Sequence, residues 1–128
     1  MAYARDLNGL DHATCQVSHI DWRDSLSPSF KAAQRYDLVI GSDLIYYHSD
    51  AAALSATIVA HTAADGVAYL MCGRGRQGVT QLACLLRAKG EVEEEAYTLI
   101  KRSRAGNEDG VPLILMTYRP HAPSPVAS

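Results

Sequence analysis

An α/β fold, with a mostly parallel sheet closed by a C-terminal antiparallel hairpin, is what this 128-residue chain predicts. Three observations carry the prediction. Two unbroken apolar runs, Tyr36 to Ile40 and Val67 to Cys72, have the continuous hydrophobicity of parallel strands covered on both faces. Each is followed by a helical stretch, which is the rhythm of a parallel sheet. The last two strand-like runs are joined by a charged loop with no helix, so they should pair antiparallel.

In chain order, Thr14 to Ile20 alternates small or apolar with polar side chains, as a strand with one drier face would, and Asp21-Trp22-Arg23-Asp24 ends it. A Ser/Pro-bearing loop from Ser25 to Ser29 then leads past Phe30 to Tyr36–Ile40, which reads as a central strand. Ser49 and Asp50 are good N-cap types for a helix through about His61 carrying Leu54, Ile58 and several alanines. Asp65-Gly66 should turn the chain into the Val67–Cys72 strand. A helix from Gln77 to Lys89 places Val79, Leu82 and Leu86 on one face, with Gly90 where a C-cap belongs. Val92–Lys101 and Leu113–Tyr118 form the hairpin, and residues 120–128, rich in Pro, Ala and Ser, should be disordered.

The length suits one domain, and a formal net charge of -2 gives no bulk field for nucleic acid or an acidic membrane surface. Cys15, Cys72 and Cys84 are an odd number without metal-ligand spacing, and two of them sit in core-like apolar runs. Reduced thiols in a cytoplasmic protein are expected. The N-terminus lacks the apolar stretch of a signal peptide, and no segment approaches the ~18 apolar residues of a membrane span. The histidines are scattered, so no metal site is expected.

The chemistry concentrates after the first apolar strand. Asp43 and Tyr46 lie three apart, so a helical turn there would aim a carboxylate and a phenol into one cleft. In the blander alternative, Asp43 caps a turn amide and Tyr46 packs at the rim. Ser42 is small enough for a tight turn, and Trp22 is either a core anchor or a stacking surface. Gly73-Arg74-Gly75-Arg76-Gln77-Gly78 satisfies G-x-G-x-x-G between a strand and a helix, the context of a dinucleotide-binding turn. Against that stand its late position, two arginines that would crowd a close backbone approach, and the hairpin that follows. Glu93, Glu94 and Glu95 lie near the distance for a ribose-binding acid.

The wording Asp37-Leu38-Val39-Ile40-Gly41-Ser42-Asp43-Leu44-Ile45-Tyr46 resembles the seven-strand, S-adenosylmethionine-dependent methyltransferases, in particular the lysine methyltransferase-like group with an Asp-x-x-Tyr motif after its fourth strand. The resemblance implies a Rossmann-like sheet. It implies that Asp43 and Tyr46 line the junction of cofactor and substrate lysine, with Ser42 against the cofactor. Asp21-Trp22 resembles the family segment whose indole lies on the adenine, which makes Asp21 and Trp22 cofactor-binding candidates.

The resemblance covers the carboxyl-terminal part of the family domain, residues 14–119. Residues 1–13 contain Asn8-Gly9 but no strand with the acidic Gly-x-Gly turn that holds the cofactor's methionine end. The expectation is a truncated form of reduced or absent activity. In the family's sheet order 3-2-1-4-5-7-6, the absent strands stand between Thr14–Ile20 and Tyr36–Ile40. Either these two runs pair directly, or an apolar edge is left that invites self-association. A protein substrate is the implied partner; the alternatives are a non-catalytic partner-binding remnant and a nicotinamide dinucleotide-binding domain using Gly73, Gly75 and Gly78.

Overall fold

A computed structural model describes residues 2–121, and they form the expected α/β architecture. A short helix α1 (Ala2–Leu7) and an irregular stretch with a single 3-10 turn, Trp22–Leu26, precede β1 (Tyr36–Ser42). Then come α2 (Ala51–His61), β2 (Thr62–Gly73), α3 (Val79–Arg87), β3 (Gly90–Arg102) and β4 (Glu108–Pro120). The sheet order is β1-β2-β4-β3. β1 and β2 are parallel across the α2 crossover, while β2/β4 and β3/β4 are antiparallel. This order corresponds to the 4-5-7-6 end of the family sheet.

Helix α2 is rich in alanine, and it is buried on more than one side because the sheet, α3 and the 22–26 turn all pack on it. Arg35 donates to the carbonyls of Val59 and Thr62 at its carboxyl end, at 3.3 and 3.2 Å. The amphipathic α3 turns Val79, Leu82, Ala83 and Leu86 onto the sheet. These side chains meet Ala68, Leu70 and Cys72 of β2 and Met116 and Tyr118 of β4 in one core. Full burial of each large member, such as Leu82, Leu86, Met116 or Tyr118, contributes about 1.5–3 kcal/mol or, for the tyrosine, more.

Both long helices cover the same face of the sheet. Successive strand residues point to opposite faces, so Leu38 and Ile40 of β1 look the other way and are 57% and 75% exposed. Val67, Tyr69 and Met71 of β2 share that face in register with Leu38, Ile40 and Ser42, and are half-buried.

Several expectations are corrected. Thr14–Ile20 forms no strand: its alternation is real, but no described strand pairs with it, its first amides turn back onto Asp11, and the rest runs as coil. β1 is consequently an edge strand, against the expectation of a central one. Asp65-Gly66 does not separate helix from strand, because α2 passes directly into β2 at Thr62. The two residues lie instead in an irregularity where the register jumps from Tyr36↔Thr62 to Leu38↔Val67. The N-cap Asp50 makes no side-chain capping bond. Cys84 is exposed, and only Cys72 of the three thiols is buried. Of the expected tail, Pro120 closes β4 and the His121 amide donates to the Lys89 carbonyl at 3.3 Å; residues 122–128 lie outside the described residues.

Gly90 is also not a C-cap. It opens β3, where a Cβ would collide with the Arg119 carbonyl and the Tyr118 ring. Gly90→Ala should therefore cost about 1–3 kcal/mol in urea unfolding. Gly75→Ala, at a position with no atom within 4 Å of the added carbon, should stay within about 0.5 kcal/mol of the parent. Equal midpoints for the two variants would contradict the close approach at Gly90.

Candidate functional site

The carboxyl end of β1 opens into a loop whose backbone is fixed before its side chains are considered. The Asp43 amide donates to the Met71 carbonyl at 2.9 Å, one residue past the end of β1. Asp43 then adopts φ 54°, the only left-handed backbone among the described non-glycine residues. Aspartate is one of the few side chains that enter this region at modest cost. Leu44 and Ile45 follow into the core, Ile45 to 1% exposure, and Tyr46 emerges again half-exposed.

This path brings carboxylate and phenol together. The Tyr46 hydroxyl donates to Asp43 Oδ2 at 3.1 Å. The pairing expected from their spacing is thus present, formed by a left-handed turn rather than a helical one. A third group joins them from the glycine-rich turn after β2. Arg76 places a guanidinium nitrogen 3.4 Å from Asp43 Oδ1 and 3.5 Å from Oδ2. Its Cζ lies 4.6 Å over the centre of the Tyr46 ring. The two loops are held in register by Gly78, the N-cap of α3 at φ 86°, where a Cβ would press on the Tyr47 carbonyl at 2.7 Å and on Ile45 at 2.8 Å.

The hydrogen bond and the negative charge of Asp43 raise the Tyr46 pKa above its ordinary value, because ionising the phenol would lose that bond and set two anions side by side; Arg76 opposes the shift in part.

Asp21 and Trp22 occupy a different element. Asp21 caps the 22–26 turn, its Oδ1 accepting from the Arg23 amide at 3.0 Å. The Arg23 guanidinium grips both carboxylate oxygens, at 3.1 and 2.8 Å, and these hydrogen bonds lower the Asp21 pKa to about 2. Trp22 is half-buried against the core, with its carbonyl accepting from Thr57 of α2 at 3.3 Å. It lines an open groove of about 670 Å³ shared with Asp21, Arg23, Leu26 and the Ser49–Asp50 approach to α2. Ser42, the last residue of β1, is exposed and lies in register with Met71. The structure therefore joins Asp43 with Tyr46 and keeps Ser42 beside them. It sets Asp21 and Trp22 apart, at the groove against the start of α2.

The glycine-rich turn is not arranged as a phosphate cradle. It follows a strand with an antiparallel neighbour, its Arg76 amide donates to the Gly73 carbonyl at 3.1 Å, and the Arg76 side chain lies over Gly73, where a Cβ would be 3.0 Å from Arg76 Cγ. Glu94, suggested as a ribose ligand, instead accepts from Arg87 at 2.6 Å. His48 pairs with Gln81 at 2.8 Å, and the described residues contain no cluster of His, Cys, Asp and Glu able to hold a metal. No described helix is long and apolar enough to cross a membrane.

The coupling of Tyr46 to Asp43 is directly measurable. Asp43→Asn should bring Tyr46 ionisation back toward the ordinary phenol value near 10. Spectrophotometric titration, with Tyr46→Phe subtracted from each background to isolate this phenol, should show phenolate at lower pH in the Asn variant. Superimposable curves would mean that the carboxylate does not govern the phenol.

Comparison with known proteins agrees with the fold. The lysine methyltransferase family matches residues 2–85. Among solved structures, TehB from Haemophilus influenzae aligns with a TM-score of 0.58 at 12% identity, over 93% of this chain and 44% of that one. The precorrin 8W decarboxylase of Methanobacterium thermoautotrophicum aligns with a TM-score of 0.51 at 10% identity, over 91% of this chain and 61% of that one. At such identities the likeness is one of fold, and this chain spans 44% and 61% of the two structures' lengths. No curated protein matches by sequence. With more than half of its residues matched and a sheet that carries one end of the family's strand order, the chain belongs to the lysine methyltransferase family.

Proposed function

We propose that this chain carries the acceptor side of an S-adenosylmethionine-dependent methyltransferase acting on a protein lysine, with Asp43 and Tyr46 at the reacting amine. The observation that supports this reading is the hydrogen-bonded carboxylate–phenol pair at the carboxyl end of β1, half-exposed and anchored by a buried Ile45. A lysine arrives as an ammonium with a pKa near 10.4 and must lose a proton before its nitrogen can act as a nucleophile. Asp43 attracts the ammonium and accepts its proton directly or through water, and Tyr46 limits the directions from which the nitrogen approaches.

The residues present fit the adenosine end of the cofactor. Trp22 offers a half-buried indole beside a polar groove, and base-on-aromatic stacking of that kind is typically worth ~1–3 kcal/mol. Asp21 has both oxygens occupied by Arg23, so its contribution is to hold the turn that presents Trp22. No acidic Gly-x-Gly turn precedes β1 among the described residues. When bound, S-adenosylmethionine supplies an electrophilic methyl group on its sulfonium. We therefore take binding by these 128 residues to be weak and activity to be reduced, in a cytoplasmic protein whose partner is a protein substrate rather than nucleic acid or membrane.

A second reading, a partner-binding module, is favoured by one observation: the unpaired β1 edge with Leu38 and Ile40 exposed, which also suits self-association.

Titration calorimetry and radiolabelled methyl transfer separate these roles. Weak S-adenosylmethionine binding should be lost in Trp22→Ala. Asp43→Asn and Tyr46→Phe should leave binding within about twofold while lowering transfer to a lysine-bearing acceptor, for the carboxylate by about 10²–10⁴-fold. Undiminished transfer in Asp43→Asn would reduce Asp43 to a turn residue. Tight cofactor binding would contradict the weak-binding reading.

A further inference from the structure

The site described above already holds a cation, and it belongs to the chain itself. The Arg76 guanidinium takes both features that the proposed reading gives to an incoming ammonium: the Asp43 carboxylate at 3.4 Å and the face of the Tyr46 ring at 4.6 Å. Its placement follows from the turn. Gly73 has no side chain to obstruct the Arg76 stem, and the 73–76 hydrogen bond curls the chain so that this stem crosses toward Asp43.

Arg76 is not needed to hold the pair together. Tyr46 reaches Asp43 through its own hydrogen bond, the Asp43 amide is tied to Met71, and Ile45 pins the loop between them. Nor is it held strongly. Arg76 and Asp43 have side chains 44% and 52% exposed, and the nitrogen–oxygen distances lie at the limit of a hydrogen bond. Solvent screens an ion pair in that position, and the ring adds only a modest exposed cation–π attraction.

We propose that Arg76 is a resident competitor, occupying the acceptor seat until an external cationic side chain displaces it. This rests on the reading of Asp43 and Tyr46 as the seat for the acceptor amine. Arg76 then sets specificity: a neutral group cannot exchange for a guanidinium on a carboxylate, whereas a lysine ammonium replaces one cation by another with little electrostatic loss. Acceptors presenting an isolated, freely moving lysine are favoured over those whose ammonium is already paired.

The test uses the whole chain and n-butylammonium as the probe, followed by NMR through the Tyr46 ring and the Asp43 amide. Arg76→Met keeps an apolar stem and removes the charge; it should bind the probe several-fold to tenfold more tightly than the parent. Arg76→Lys, which retains a cation, should resemble the parent, and Asp43→Asn should lose saturable binding. Equal or weaker binding in Arg76→Met, or no saturable shift in either protein, would overturn the proposal. Labelled methyl transfer answers a separate question. Tight probe binding by Arg76→Met without any transfer when calorimetry shows S-adenosylmethionine bound at saturation would sink the methylation reading and leave the displaceable cation standing.

Discussion

The burial of Ile45 fixes the loop carrying the candidate chemistry, because one side chain drawn to 1% exposure among α2, α3 and β2 determines where its neighbours must point. Asp43 lies two residues before it and Tyr46 one after, so both are turned outward by the same insertion. Sequestering an isoleucine stabilises by about 1.5–3 kcal/mol, while ordering one residue's backbone costs about 1–2 kcal/mol. That single contact therefore offsets the ordering of only one or two loop residues. The rest of the loop depends on a bond just past the sheet ladder, the Asp43 amide on Met71, and on the glycine at position 78 that lets α3 start against Ile45.

Through that start the second loop is positioned too. β2 runs between a parallel neighbour and an antiparallel one, so its carboxyl end lies beside the carboxyl end of β1 and the amino-terminal half of β4. Loops leaving the carboxyl ends of adjacent parallel strands are where open α/β sheets concentrate ligand contacts. Here the two such loops bring Asp43 and Tyr46 within reach of Arg76. The opposite face of the sheet, with Leu38 and Ile40 at its margin, plays no part in that arrangement.

Much of this was legible in the sequence where the physics is local. The hairpin could be read because no helix intervenes between its strands, and α3 because its apolar residues recur with helical period. The Asp43–Tyr46 pair could be read because its members are three apart, although the left-handed turn that joins them could not. What failed depended on absent or distant neighbours. Thr14–Ile20 alternates as a strand should, but hydrogen-bond partners decide whether alternation becomes a strand. Tyr36–Ile40 has the composition of a covered strand yet stands at an edge. Arg76 was visible only as part of a glycine-rich motif, since its partner lies 33 positions earlier and nothing local signals the pairing.

The left-handed backbone at residue 43 restricts the chemistry that can be placed there. At φ 54° a β-carbon is strained, so glycine is freest there and aspartate, asparagine and histidine are favoured over other side chains. Glutamate, which would offer the same carboxylate on a longer arm, is penalised by about 1–2 kcal/mol by the backbone rather than by the site. Among glycine, asparagine and aspartate only aspartate carries a carboxylate, asparagine can only hydrogen-bond, and glycine offers neither. The turn thus weights the reach of an acid at this position toward the shorter arm. A chain of this fold that lengthens the acid here by one methylene meets backbone strain before the site itself is affected.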